Sequence, residues 1–119
     1  MIIIIIQGEL TDLNTYMKSE RGNRFAGAKI KKEETERVAW EVKSQHLEPI
    51  TEYPIKIHYR WYSKDQRKDL DNIAFAKKFV NDGLVMSGIL KNDSQRFITG
   101  FTDEFYVDKD NPRVEIVIN

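Results

Sequence analysis

The chain contains no cysteine, only two histidines, three prolines and six glycines. The first absence excludes a disulfide framework, a thiolate metal site and a cysteine nucleophile. It also suits a reducing compartment, and a cytoplasmic location is the expectation. His46 and His58 are too few and too far apart for a zinc motif. No GxGxxG or Walker-type glycine loop is present, so no nucleotide cofactor is expected. Neither sign of charge dominates, because 19 Lys and Arg balance 19 Asp and Glu. That excludes a uniformly basic nucleic-acid binder and leaves local segregation open. The apolar run Met1–Ile6 falls far short of the roughly 20 residues a membrane span needs, and it lacks the positive flank of a signal peptide. No membrane segment, internal repeat or low-complexity tract is expected.

What remains is a globular balance, with 40% hydrophobic and 32% charged residues in 119. The expectation is one domain over residues 1–119 with a single core. The isoleucine run Ile2–Ile6, continuing to Gln7, reads as a buried strand. Residues 8–29 read as a long polar connection, broken by Asn14, Gly22, Asn23 and Gly27. It carries Lys18, Arg21, Arg24 and Lys29, followed by Lys31 and Lys32, and between Lys18 and Lys32 only Glu20 opposes them. A helix is predicted over about residues 28–47, with Val38, Ala39, Val42 and His46 on one face and Trp40 opposite. Residues 55–62 alternate: Ile55, Ile57, Tyr59 and Trp61 face inward, and Lys56, His58, Arg60 and Tyr62 form a basic, aromatic outer face. A charged loop leads to a second helix over about residues 71–86, with the stripe Ile73, Ala76, Val80 and Leu84 and a cap at Gly88. Two late strands, about 96–105 and 113–118, are joined by a turn at residues 108–112. The order β-α-β-α-β-β predicts an α+β or α/β domain: one mixed sheet covered by two helices.

Asp69 and Asp71 sit two apart at the entry to the second helix. In extended backbone, residues i and i+2 point the same way, so two carboxylates converge. Such a pair suits a hard cation, and Mg²⁺ takes oxygen ligands while keeping several waters. Asp93 is a candidate third ligand if the helix returns the chain to the sheet. The alternative is structural: an Asp before a helix serves as an N-cap, and Asn92-Asp93-Ser94 is a routine turn. Lys78 falls on nearly the same helical face as Asp71, about 10 Å further along, placed to meet a phosphate. Its alternative is that Lys77 and Lys78 form a solvated helix face. The cations between Lys18 and Lys32, and the His58/Arg60 face, are candidate contacts for a nucleic-acid backbone, or else ordinary solvated surface.

The stretch Arg67-Lys68-Asp69-Leu70-Asp71-Asn72, then a helix with Lys78, Asp82 and Leu84, then Gly88 and Asn92-Asp93-Ser94, resembles the RusA family of Holliday junction resolvases. The upstream Leu13-Asn14-Thr15-Tyr16 and the Arg/Lys-rich segment resemble phage and prophage members. The resemblance implies a homodimeric, Mg²⁺-dependent endonuclease of DNA recombination and repair, which binds four-way DNA junctions and makes paired nicks in strands of like polarity. It implies Asp69, Asp71 and Asp93 as catalytic and metal-binding residues and Lys78 as the catalytic lysine. It assigns DNA contacts to Asn14, Lys18, Arg21, Arg24, Lys29, Lys32, Arg67, Lys68 and Lys77. The chain departs from the family pattern in three ways. The stretch from Asp71 to Asp93 is a few residues longer. Phe75 stands where a count from Asp71 expects lysine, so Lys77 competes with Lys78. Asn92 precedes Asp93 where the family often has a second Asp. Two other functions fit the same residues: a non-catalytic branched-DNA-binding module, and a broader flap or fork nuclease.

Overall fold

β-Branched and aromatic residues lay down four strands in the computed structural model, which describes all 119 residues. These are β1 (Ile2–Gln7), β2 (Ile55–Ser63), β3 (Ile98–Val107) and β4 (Arg113–Ile118). They form one mixed sheet in the order β1-β4-β2-β3. β4 is antiparallel to both its neighbours, whereas β2 and β3 are parallel. A parallel pair needs a crossover, and α3 (Leu70–Ala74) with α4 (Lys77–Ser87) provides it. Between β1 and β2 lie α1 (Leu13–Gly22) and α2 (Arg24–Ser44). The fold is thus α+β in the expected element order, with an added helix, α1, before the first expected helix and with the second expected helix divided into α3 and α4.

α1 and the early start of α2 correct the reading of residues 8–29 as a connection. Asp12 caps α1, its carboxylate accepting from Thr15 N at 2.7 Å. Asn23 ends α1 and starts α2: its N–H donates to Ser19 O, and its side chain accepts from Phe25 N. No residue of α1 is buried, so no apolar stripe announces the helix. Only Tyr16 reaches inward, packing on Phe75 and Phe79 at ring separations of 5.2 and 6.2 Å. The second expected helix is divided at Phe75–Ala76. There Lys78 N bonds to Phe75 O and Phe79 N to Ala76 O, the tight i to i−3 pattern of a 3₁₀ turn.

Lys68 reaches back to α1 and holds Asp12 at 2.9 Å and Glu9 at 3.6 Å. Burial opposes ionisation of Asp12, but the Thr15 hydrogen bonds and the Lys68 ammonium outweigh it and draw the carboxyl below its usual range. A depressed folded pKa gives stability that is complete above the unfolded value, about 4, and lost as pH falls through the folded value. Asp12→Ala is expected to lower stability at pH 7 by about 1 kcal/mol. Urea melts should show that difference shrinking toward pH 3.

The helices cover one face of the sheet. The inward row of β2 is buried as expected, with Ile55, Ile57, Tyr59 and Trp61 each at most 4% exposed. They pack with Ile4 and Ile6, with Val38 and Val42 of α2, and with Phe79, Val80 and Leu84 of α4. β1 was expected to be buried along its whole run. It is instead an edge strand, with Ile4 and Ile6 inside and Ile3 44% exposed on the uncovered face. His46, expected on the α2 stripe, lies past the helix end, exposed, at φ +52°. Trp40 projects away from the core as expected, and Gly88 caps α4 at φ +88°.

At Gly83, α2 and α4 meet closely. A Cβ there would lie 2.4 Å from Val38 Cγ1 and 3.1 Å from the Thr35 carbonyl. Gly83→Ala should therefore destabilise the fold by about 1–3 kcal/mol through overpacking, read as a lower thermal midpoint.

The uncovered sheet face is not the basic surface that the alternation of β2 suggests. β-Pairing sets Arg60 between Glu104 and Glu115 and His58 beside Thr102. Arg60 pairs with Glu115 at 3.5 Å, and His58 with Glu104. Tyr62 stacks on Tyr106 at 4.9 Å, with Arg113 over its ring. His58 and Arg60 are thus matched by carboxylates from neighbouring strands, whereas Lys56 lies beside Gly100 with no such partner. No helix is long and apolar enough to cross a membrane.

Candidate active site

The acidic turn follows the charged loop after β2. Asp69 occupies the N-cap position of α3 with extended backbone, yet its carboxylate makes no capping bond. Asp71 lies in the first helical turn and accepts only from the adjacent Asn72 N, at 3.0 Å. Both are exposed. Asn72 is buried, and its Oδ1 accepts from Asn14 N at 2.9 Å. That bond fastens the start of α1 to the acidic turn and brings Asn14 beside it. Arg67, exposed, lies 3.8 Å from Asp65.

Asp93 sits on the exposed loop after α4. With Asp82, Lys31, Lys32 and Thr35 it lines a groove of about 610 Å³ between α2 and α4. Lys18 and Arg21 stand exposed on α1, and Arg24 lies over the Phe25 ring at the start of α2. Lys29 pairs with Glu33 at 3.8 Å. The expected cations therefore line α1, the first half of α2 and the groove.

Asp12, Asp65, Asp82, Asp103 and Asp108 each have a Lys or Arg partner. Asp69, Asp71 and Asp93 have none, and neither has Asp110, in the turn between β3 and β4. Carboxylates left unpaired on a surface rich in cations are free to take an external one. Their hard oxygen donors fit a divalent cation in kind. The chain does not gather three of them, however: no cluster of three His, Cys, Asp or Glu side chains converges on one point. The expected convergence of Asp93 on Asp69 and Asp71 is thus not present within the single chain. Asp69 and Asp71 flank the start of α3, whereas Asp93 follows the far end of the 11-residue α4.

The two lysines differ sharply. Lys78 is 57% exposed and meets Asp82 at 3.3 Å, an i,i+4 surface pair. Lys77 is 15% exposed, and its Nζ donates to Asp103 Oδ2 at 2.7 Å. The same ammonium lies 5.0 Å from the centre of the Tyr59 ring and 4.1 Å from that of Phe101. Asp103 Oδ1 accepts from Trp61 Nε1 at 2.8 Å. Tyr59 donates its hydroxyl to Asn81 Oδ1. Burial pushes the Tyr59 phenol well above its usual range; the Asn81 bond opposes this, and the Asp103 and Asp93 carboxylates add to the rise. Asp93 therefore acts on the same phenol that Lys77 covers. Tyr59, Trp61, Asn72, Asn81 and Asp103 were not among the residues expected at the site. One signal was visible for Asp103: it interrupts the row Phe101, Asp103, Phe105 with a charge.

Unpaired carboxylates, a held lysine and a sheet flanked by cations are the kinds of group that phosphodiester chemistry uses. A family model, Endodeoxyribonuclease RusA, matches residues 10–119, which is all of the chain except β1 and its flanks. The chain belongs to the RusA family, a family of Holliday junction endodeoxyribonucleases. Comparison with curated proteins finds no match.

Proposed function

We propose that the protein is a Mg²⁺-dependent endonuclease that resolves four-way DNA junctions by paired nicks in recombination and repair. The observation that carries this reading is the pair of free carboxylates Asp69 and Asp71 together at the start of α3, with Asp93 free on the loop after α4, in a chain of the RusA family. Asp69 and Asp71, together at the start of α3, would hold the metal, and Asp93, which does not converge on them in this chain, would be a further ligand only if brought to them; bound there, Mg²⁺ would supply charge neutralisation at the scissile phosphate.

The chain's own residues do the rest. Lys77 presents a positive charge fixed in advance, since Asp103 and two aromatic faces hold its ammonium. A charge already in place needs no reorganisation as the phosphate gains negative charge. Lys77 is therefore the better candidate for the catalytic lysine, and Lys78, in its exposed surface pair, serves at most as a backbone contact. Asn14, Lys18, Arg21, Arg24, Lys29, Lys32 and Arg67 offer donors for phosphates along the junction arms. Lys68 serves the fold first, through Asp12 and Glu9. A homodimer would set two sites about a two-fold axis, matching the symmetry of the junction.

The test is cleavage of a mobile four-way junction, a linear duplex and a flap, each with Mg²⁺. Cleavage of the junction alone is expected. Tight junction binding without cleavage would instead define a DNA-binding module, and equal cleavage of the flap a broader nuclease.

A further inference from the structure

We infer that Asp103 is a positioning residue of the nuclease site, acting through Lys77, with Trp61 fixing Asp103 in turn. This rests on the nuclease reading above and extends it to a strand outside the acidic motif. Asp103 lies on the helix-covered face of β3, in register with Tyr59 of β2, where its neighbours along the row are Phe101 and Phe105. A carboxylate in such a row is unfavourable unless its oxygens are bonded. Both are: Trp61 Nε1 donates to one and Lys77 Nζ to the other. Trp61 is 2% exposed, so its indole cannot turn to follow a moving partner. The carboxylate is fixed from the core side and offers its remaining oxygen outward.

That oxygen meets a lysine at the first position of α4, immediately after the 3₁₀ turn at Phe75–Ala76. A lysine side chain has a long flexible stem, and holding it in one place loses rotamer entropy. Here the stem is ordered before substrate arrives. The charge-assisted bond to Asp103 and the faces of Tyr59 and Phe101 share the task. An ammonium has three donor protons. Asp103 takes one, which leaves donors for a phosphate oxygen. Phe101 is 51% exposed, so the pocket opens to solvent on that side. The relay Trp61–Asp103–Lys77 thus connects the buried core to the surface that would receive the scissile phosphate.

The experiment is single-turnover and steady-state cleavage of a four-way junction with Mg²⁺. It uses wild type, Asp103→Asn, Asp103→Glu, Lys77→Met and the double variant Asp103→Asn/Lys77→Met, with folding checked by circular dichroism. Asn keeps the shape and an acceptor for Trp61 but removes the charge. Expected for Asp103→Asn is about a tenfold loss in kcat with KM within twofold, since a charge-assisted bond is replaced by a neutral one. Asp103→Glu should restore part of the loss. The double variant should be no slower than Lys77→Met alone, because Asp103 acts only through the lysine. Losses that multiply in the double variant, or wild-type kcat in folded Asp103→Asn, would overturn the inference while leaving the nuclease reading standing. Absence of wild-type cleavage on every substrate would overturn the nuclease reading, and this inference with it. If Asp103→Asn fails to fold, the Glu variant decides: full wild-type kcat in the absence of the 2.7 Å geometry would overturn the positioning role.

Discussion

Asp71→Asn should abolish junction cleavage, with a loss on the order of a thousandfold or more, while junction affinity stays the same or rises. The substitution removes one negative charge and one hard oxygen donor but keeps nearly the same shape. Asp71 is exposed and accepts only from the neighbouring Asn72 amide, which an asparagine carbonyl can replace. Folding should therefore survive, and circular dichroism and the thermal midpoint should match wild type. Removing a single electrostatic stabiliser of a transition state typically slows chemistry by 10²–10³, and losing a metal ligand adds to that. Binding should move the other way, because DNA carries a dense negative charge and a nearby carboxylate repels it. Electrophoretic shift of a four-way junction in Ca²⁺, beside cleavage in Mg²⁺, separates the two effects. Equal losses in binding and cleavage would assign Asp71 to binding rather than to chemistry.

Lys77→Met and Lys78→Met should part widely although they are adjacent. Lys77→Met should lower kcat about 100-fold with little change in KM, as for an interaction that matters mainly in the transition state. Lys78→Met should change kcat less than about threefold, because an exposed i,i+4 pair contributes only a few tenths of a kcal/mol. The structural ground is the contrast in confinement. Lys77 is held by Asp103 between two rings, whereas Lys78 lies largely in solvent beside Asp82. The reverse order of effects would assign catalysis to Lys78 and make the Lys77–Asp103 pair structural.

Parts of this arrangement are legible in the sequence because they follow local rules. The alternation of Ile55, Ile57, Tyr59 and Trp61 identifies the inward face of β2, since side chains alternate along a strand. Gly88 identifies the end of α4 for an equally local reason, its left-handed φ. The Asp-Leu-Asp-Asn block is likewise compact enough to read directly. Other features depend on partners distant in sequence. α1 buries nothing of its own, and its start is fastened by Asn72, 58 residues away, so no periodicity reveals it. The matching of Arg60 by Glu115 becomes visible only once β4 is set beside β2. Five successive isoleucines read as buried on both sides, but helices cover only one face, which leaves Ile3 exposed. The contrast in confinement between Lys77 and Lys78 depends on the turn at Phe75–Ala76 and on the position of Asp103 on a strand formed later in the chain.

Mapping the nicks on a single mobile four-way junction tests the central claim most directly. Each strand would be end-labelled in turn and incubated with the protein in Mg²⁺, with a parallel reaction in EDTA. The account predicts two nicks at symmetry-related phosphates in strands of like polarity, with none in EDTA. Nicks on one strand only, at unrelated positions, or undiminished by EDTA would contradict it.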